Sequence, residues 1–244
     1  MKECSKSITR RLADPNYVRK YFVGEGIDIG GRPDPLMLYM ELFPLIKSVR
    51  TWDWQDGDAE LMQGVDDATY DFVFASHCLE HLRDPNVGLN NWFRILKPSG
   101  HLVVTVPEED LYEQGLFPST FNRDHKSTWT VYKTRSWSDL SINVIDLLRT
   151  LGDAADIRKI EVIDASYRYD LPRFDQTMTP TAECAIEFVV RKRTSVELAA
   201  GGRIARGAQP AREVRLHLNQ YQDDQRTLRA ANLEKPPFVN DQDL

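Results

Sequence analysis

Two kinds of apolar pattern alternate along this chain. Short continuous runs read as buried strands, and longer stretches with an apolar stripe every third or fourth residue read as amphipathic helices. Gly26–Gly30 is the first short run, Val49–Trp52 the second, and Asp71–Ser76, with FVFA at its centre, the third. Runs without a polar alternate are typical of parallel strands covered on both faces. Between and after them lie helical patterns. Asp34–Ile46 carries Leu36, Met40, Phe43 and Leu45, with Asp34 as a cap and Pro35 in the first turn. Asn86–Leu96 carries Val87, Leu89, Trp92, Phe93 and Leu96, and is stopped by Pro98 and Gly100. The strand His101–Val106 follows. Strands alternating with helices predict right-handed βαβ units and a mostly parallel sheet, helices on both faces.

The rest of the chain divides by pattern. Residues 1–24 are polar, with Tyr17, Val18, Tyr21 and Phe22 at helical spacing, and predict a short helical cover. Residues 107–136 have little periodicity, which in so long a segment points to function or mobility. Ser138–Leu151 resumes as a helix, then Ile157–Tyr169 and Cys184–Arg193 read as two strands around the loop Asp170–Thr181. The main domain should span 25–193. Residues 194–210 are small and polar, like a linker. Within the C-terminal segment 211–244, Ala211–Glu234 predicts a helix with Val214, Leu218, Tyr221 and Leu228 on one stripe. That stripe needs a surface to dock on: this domain, a twin in a homodimer, or a neighbouring protein.

Composition narrows the function. With 244 residues and 41% hydrophobic content, the chain can bury a real core. A net charge of −6 argues against a nucleic-acid wrapper. The basic residues Arg168, Arg173, Arg191, Lys192 and Arg193 read as solvated surface. Three scattered cysteines make no disulfide framework. With no apolar leader and no run of transmembrane length, the expectation is a cytoplasmic protein without a membrane span.

Two motifs carry chemistry. In GIDIGG, a glycine at a strand end lets the backbone approach a ligand, and the following N–H groups are free to bind one. The third glycine of a dinucleotide fingerprint is missing, which disfavours a nicotinamide-dependent oxidoreductase. Further on, Ser76-His77-Cys78-Leu79-Glu80-His81 begins just past a strand. If a helix starts there, His77, Glu80 and His81 share one face and could ligate a divalent metal. H-x-x-E-H is also a zinc-protease pattern, but the α/β context argues against a protease.

Taken in order, GIDIGG, the strand-end Asp53 in RTWDW, LEHL and RILKPSGHL resemble the core of a class I S-adenosylmethionine-dependent methyltransferase of the type 11 kind, over roughly residues 25–107. The resemblance implies a Rossmann-like fold whose last strand is antiparallel. It also implies S-adenosylmethionine as cofactor. Gly30 and Gly31 would lie against the cofactor, and Asp28 would help hold its methionine amino end. Asp53, with Trp54 beside it, would take the ribose hydroxyls, Asp58 and Ala59 the adenine, and Ser76 would lie toward the methyl. Residues 54–70 are too few for a full helix, strand and helix, so the family's third strand is expected to be shortened or absent.

Methyl transfer is an in-line displacement, so alignment is the larger contribution, about 7–11 kcal/mol, against roughly 10²–10⁴-fold from a general base. For an alcohol acceptor the base still matters. His77, Glu80 and His81 resemble the E-x-x-E-H of small-RNA 2′-O-methyltransferases, with His77 replacing the first Glu. His125 is a candidate fourth ligand to Mn, Mg or Zn. The metal-free alternative has Glu80 and His81 capping and packing the helix, with His125, oriented by Asp124, as base and His77 as second choice. Cys78 reads as packing.

For the acceptor, Tyr112, Phe117, Phe121, Trp129, Tyr132 and Trp137 read as lid core or as stacking faces for a sugar, with Asn122, Arg123, Asp124 and Lys126 as polar partners. The loop residues Tyr169, Asp170, Arg173 and Asp175 suit hydroxyl recognition. DIGGRPDP also resembles methyltransferases of glycan and surface-polysaccharide assembly. The expectation is O-methylation of a saccharide. The alternatives are another small molecule, a terminal ribose, or a non-catalytic partner of a glycosyltransferase docked through the C-terminal helix.

Overall fold

The computed structural model describes residues 3–203. Its centre is a six-stranded sheet in the order β2-β1-β3-β4-β8-β7. The strands are β1 (Gly24–Ile29), β2 (Ile46–Trp52), β3 (Tyr70–Ser76), β4 (Leu96–Pro107), β7 (Ala155–Ile163) and β8 (Ala185–Lys192). The first four run parallel, whereas β8 lies antiparallel to both β4 and β7. This is the Rossmann-like arrangement expected from the sequence, with the family's third strand absent. Residues 53–69 form turns between β2 and β3.

Both faces of the sheet are covered. Phe72 and Phe74 of β3, Val103 of β4 and Val189 of β8 pack under two helices, α1 (Glu3–Leu12) and α2 (Pro15–Tyr21). The predicted N-terminal cover is therefore a helical pair. Asp14 separates its members, its carboxylate accepting the N–H groups of Asn16 and Tyr17. On the other face Val73, Ala75, Leu102 and Val104 pack under α3 (Pro85–Arg94) and α4 (Val144–Arg149). Fully burying a Leu or Phe is worth roughly 1.5–3 kcal/mol, so these two clusters carry the fold. Beneath α1 lies a buried charge group. Glu187 of β8 accepts from Arg11 at 2.9 Å and from Arg10 through both oxygens at 3.1 Å, and Arg10 also pairs with Glu183.

Several predicted elements differ in the structure, and the strand expected over Ile157–Tyr169 is β7, which stops at Ile163. Leu36–Leu42 is a 3₁₀ segment, not the α-helix expected over Asp34–Ile46. Asp34 is diverted from capping, because its carboxylate accepts the Ser5 N–H (2.7 Å) and the Tyr39 hydroxyl (2.5 Å). The helix predicted to reach Leu96 ends at Arg94, since Leu96 already pairs with Tyr70 at the start of β4. The Lys-Pro-Ser-Gly segment is a register shift inside β4. Finally, Ser141–Asn143, expected as helix, is strand β6, paired with β5 (Thr128–Thr130). Asn143 then caps α4, which starts only at Val144.

A further short helix, α5 (Ser195–Ala199), with a Thr194–Glu197 capping box, occupies the start of the predicted linker. Of the basic residues read as solvated surface, Arg191 is buried, donating to Glu197 and Ser99. The rest of the linker, the helix at 211–234 and its apolar stripe lie outside the described residues. All three cysteines are buried and free.

Candidate active site

At the carboxyl end of the parallel strands lies a cavity of about 190 Å³. One end of it is built from the backbone after β1. Gly30 has φ +74°, and a Cβ there would stand 2.7 Å from the Cys78 side chain. A Cβ on Gly31 would stand 2.4 Å from Asp28 Oδ2. Both positions need glycine for space, and Gly30 for conformation as well. Asp28 lies under this turn, 1% exposed. Its Oδ2 accepts the Leu36 N–H at 2.7 Å, while Oδ1 has no partner. Burial pushes its pKa up to about 7, against the pull of the Leu36 N–H and the Arg11 charge. Asp53, at the end of β2, borders this turn and accepts the Arg32 N–H at 3.1 Å.

The other end is built from side chains. His77 follows β3 with φ +55°, its N–H held by the Thr105 carbonyl. The segment Leu79–His81 is a single 3₁₀ turn where a helix start was expected. The turn still brings the groups together, with Glu80 Oε1 3.3 Å from His77 Nδ1 and 4.0 Å from His81 Nε2. His125 arrives from a separate loop and places Nε2 4.0 Å from the same oxygen. Lys126 fastens that loop to the turn, its N–H on the Glu80 carbonyl and its Nζ on the His81 carbonyl.

Electrostatically, Glu80 is the centre of this end. It is fully buried, and neither carboxylate oxygen accepts a hydrogen bond of good geometry. Burial alone would raise its pKa, but His77, His81 and His125 outweigh it and hold the carboxyl below its usual range. For His77, burial acts to lower the pKa, and Glu80 and Glu3 together raise it.

Ligand atoms of Glu80, His81 and His125 all lie within 4.8 Å of one another. Donors about 2.0–2.2 Å from a common ion stand roughly 3–3.5 Å apart, so small side-chain rotations would close this set on one. A buried carboxylate lacking hydrogen bonds, ringed by imidazoles, fits a divalent metal. His77 stands beside this triad and is not part of it.

Asp28, Gly30, Gly31, Ser76, His77, Glu80, His81 and His125 thus line one cavity, as a site formed from those two motifs requires. Asp53 does not line it and touches it only through the Arg32 N–H. Trp54, 80% exposed, points away into solvent. Asp58 and Ala59 are not brought to it: Asp58 accepts the Glu60 N–H in its own turn, and the Ala59 carbonyl receives the Trp92 indole N–H. Asp124 does not orient His125. That position belongs to Glu113, whose Oε1 lies 2.7 Å from His125 Nδ1, both side chains buried. Glu113 carried no sequence signal, being one of four acidic residues in EEDLYE. Glu3, in the first turn of α1, also lines the cavity and also went unsignalled. Cys78 packs against Gly30, as expected of a small buried residue.

Of the lid aromatics, Trp129 and Tyr112 are buried while Tyr132 is exposed. Tyr112 reaches the cavity, its ring centroid 5.1 Å from that of His125. Arg173 braces the lid from the second loop, donating to the Glu113 carbonyl and stacking on Phe121.

Residues 42–104 match the family model described as a methyltransferase domain. No curated protein sequence matches the chain. Among solved structures, the plantazolicin methyltransferase BpumL in complex with S-adenosylhomocysteine aligns at 12% identity with a TM-score of 0.50. The alignment covers 79% of this chain and 84% of that one. A SAM-dependent methyltransferase from Archaeoglobus fulgidus aligns at 18% identity with a TM-score of 0.48, covering 79% and 95%. No helix among the described residues is long and apolar enough to cross a membrane. The fold is that of the class I methyltransferases, and the domain match, which spans β2, β3 and most of β4, supports a methyltransferase.

Proposed function

We propose that this protein is an S-adenosylmethionine-dependent O-methyltransferase of the cytoplasm, acting on a saccharide hydroxyl with assistance from a divalent metal. The observation that carries the reading is Glu80, buried without hydrogen bonds among His77, His81 and His125. The cofactor's methionine end would lie against Gly30, Gly31 and Asp28, and its ribose toward Asp53. Its methyl group would then face Ser76 and the histidine end of the cavity.

Glu80, His81 and His125 would hold the metal, and two imidazoles with one carboxylate suit Zn or Mn better than Mg. An ion held there would lower the pKa of an acceptor hydroxyl, as it lowers that of water from 15.7 to about 7. Glu113 fixes the orientation of the His125 ring through Nδ1, leaving Nε2 to face the cavity. The acceptor end is polar, with Asn122, Thr177 and Tyr112 in its lining, which suits a sugar hydroxyl with an oxygen beside it. The DIGGRPDP resemblance to glycan-assembly methyltransferases supports the same class, while a chain of net charge −6 is a poor match for bulk RNA. A glycosyltransferase partner or a second copy would dock through the C-terminal segment.

One observation favours a second reading. The 2.7 Å Glu113–His125 pair is also the arrangement of an oriented general base, which would need no metal. Elemental analysis of protein loaded with Mn²⁺ or Zn²⁺ and then dialysed decides between them. About one equivalent retained by wild type and lost in His81→Ala supports the metal site. No retained metal, with methylation of a glycan extract insensitive to chelator, would leave His125 as the unaided base.

A further inference from the structure

The cavity has a wall that no methyltransferase motif supplies: the first turn of α1. Glu3 and Cys4 line it together with Gly30 and Gly31. Three contacts fix that turn in place. The Ser5 N–H donates to Asp34 Oδ2 at 2.7 Å, Lys6 Nζ donates to the Thr177 carbonyl at 2.6 Å, and the same Lys6 pairs with Glu3 Oε1 at 2.9 Å. Further along the helix, Arg10 and Arg11 seat it on Glu183 and Glu187. The turn is thus held from both ends, and Glu3 is presented to the cavity by structure built around it.

Besides Glu80, two carboxylate side chains lining this one cavity each bury an oxygen without a hydrogen-bond partner. The oxygens are Glu3 Oε2 and Asp28 Oδ1. Asp28 is 1% exposed and belongs to β1, whereas Glu3 comes from α1. Glu3 Oε2 has His77 Nε2 at 3.8 Å, beyond hydrogen-bonding distance. Burying a carboxylate oxygen without a hydrogen bond is costly, so two of them lining one cavity suit a cationic, hydrogen-bonding ligand group.

We propose that Glu3 is a cofactor-binding residue, and that its carboxylate, together with Asp28, receives the ammonium of the cofactor's methionine end. The proposal rests on the methyltransferase reading above. It makes α1 part of the binding site, so the site is incomplete without the first turn of α1. A primary ammonium has three N–H donors and can satisfy both free oxygens at once. A charge-assisted bond of this kind is about twice as strong as a neutral one.

The experiment compares two ligands that differ in that end alone. S-adenosylhomocysteine carries the amino-acid moiety, and 5′-methylthioadenosine ends in a methyl thioether. Calorimetric affinities for both are measured on wild type, Glu3→Gln and Glu3→Asp, with melting temperatures as a check on folding. The expected result is a roughly tenfold loss for S-adenosylhomocysteine in Glu3→Gln, no change for 5′-methylthioadenosine, and recovery to within about threefold in Glu3→Asp. An equal loss for both ligands would overturn the proposal and leave Glu3 as packing for the pocket wall. No loss for either would also overturn it. Wild type binding neither ligand would sink the methyltransferase reading itself along with the proposal, whereas wild-type binding that Glu3→Gln leaves intact sinks the proposal alone.

Discussion

The two ends of the cavity are made of different materials. At the glycine end the geometry belongs to the main chain: Gly30 in the left-handed region, and the Leu36 N–H fixed on Asp28. At the histidine end it belongs to side chains drawn from three segments, with Glu80 and His81 after β3, Glu113 in the lid and His125 in the loop beyond. A main-chain site constrains which residue types can stand there, and so leaves a mark in a short stretch of sequence. A side-chain site leaves its mark only where its members happen to be neighbours in the chain. The division also suits the proposed chemistry, since a cofactor of fixed shape can be met by fixed backbone, while an acceptor hydroxyl would need groups that hold charge and protons.

If the ends are separable, breaking one should spare the other. Glu80→Gln combined with His81→Ala should abolish metal retention altogether while changing S-adenosylhomocysteine affinity less than about threefold. Elemental analysis and calorimetry on one preparation test both halves, and a parallel collapse of cofactor binding would show the ends to be one unit. The converse change is Gly30→Ala, which forces a strained backbone and a contact with Cys78. A cost of about 1–3 kcal/mol predicts roughly a ten- to hundredfold loss of S-adenosylhomocysteine affinity with metal retained.

A finer cut falls within the histidine end. Glu113→Gln keeps the shape but weakens the grip on His125 Nδ1, and should cost about tenfold in metal affinity by competition with a chromogenic chelator. Unchanged affinity would place His125 outside the ligand set.

The mildest test concerns Asp28 and pH. Its folded pKa is raised to about 7 from 3.8, so the native state binds the proton more tightly than the unfolded chain does. Its contribution to stability is fully present below about pH 4 and is lost as pH rises through about 7, on the order of 1 kcal/mol per pH unit. Glu108, also raised to about 7 by burial, acts in the same sense. Asp28→Asn should therefore flatten, but not abolish, the fall in denaturation midpoint between about pH 4 and 7. An unaltered slope would assign the whole effect elsewhere.

What could be read in advance follows the same division of materials. The strands β1 and β3 were legible because runs such as FVFA are buried on both faces, and α3 because Trp92, Phe93 and Leu89 face one cluster. His77, Glu80 and His81 were legible as a group because one turn joins them. Glu113 was not. In EEDLYE, Glu108 caps the Asp110 and Leu111 N–H groups, Glu109 takes Ser141 and Thr128, and Asp110 takes the Trp137 indole N–H. Only Glu113 is left facing His125, and that allocation depends on the lid's path, not on spacing. Asp124 misled for the complementary reason, since adjacency in the chain put it next to His125 but not against its ring. The helix expected from Asp34 failed through a contact 29 residues away, with Ser5.

The absence of a strand between β2 and β3 has a consequence of its own. β2 stands at the border of the sheet among the described residues and exposes a row of main-chain donors and acceptors. Such borders invite pairing with other chains, and positive charge is a common deterrent. Lys47 and Arg50 project from this strand, both exposed, with Arg50 also laid across the Trp52 ring at 4.7 Å. These charges sit on the very strand whose far end leads into Asp53, so that a charge-reducing change at Lys47 or Arg50 would favour self-association long before it disturbed ligand binding.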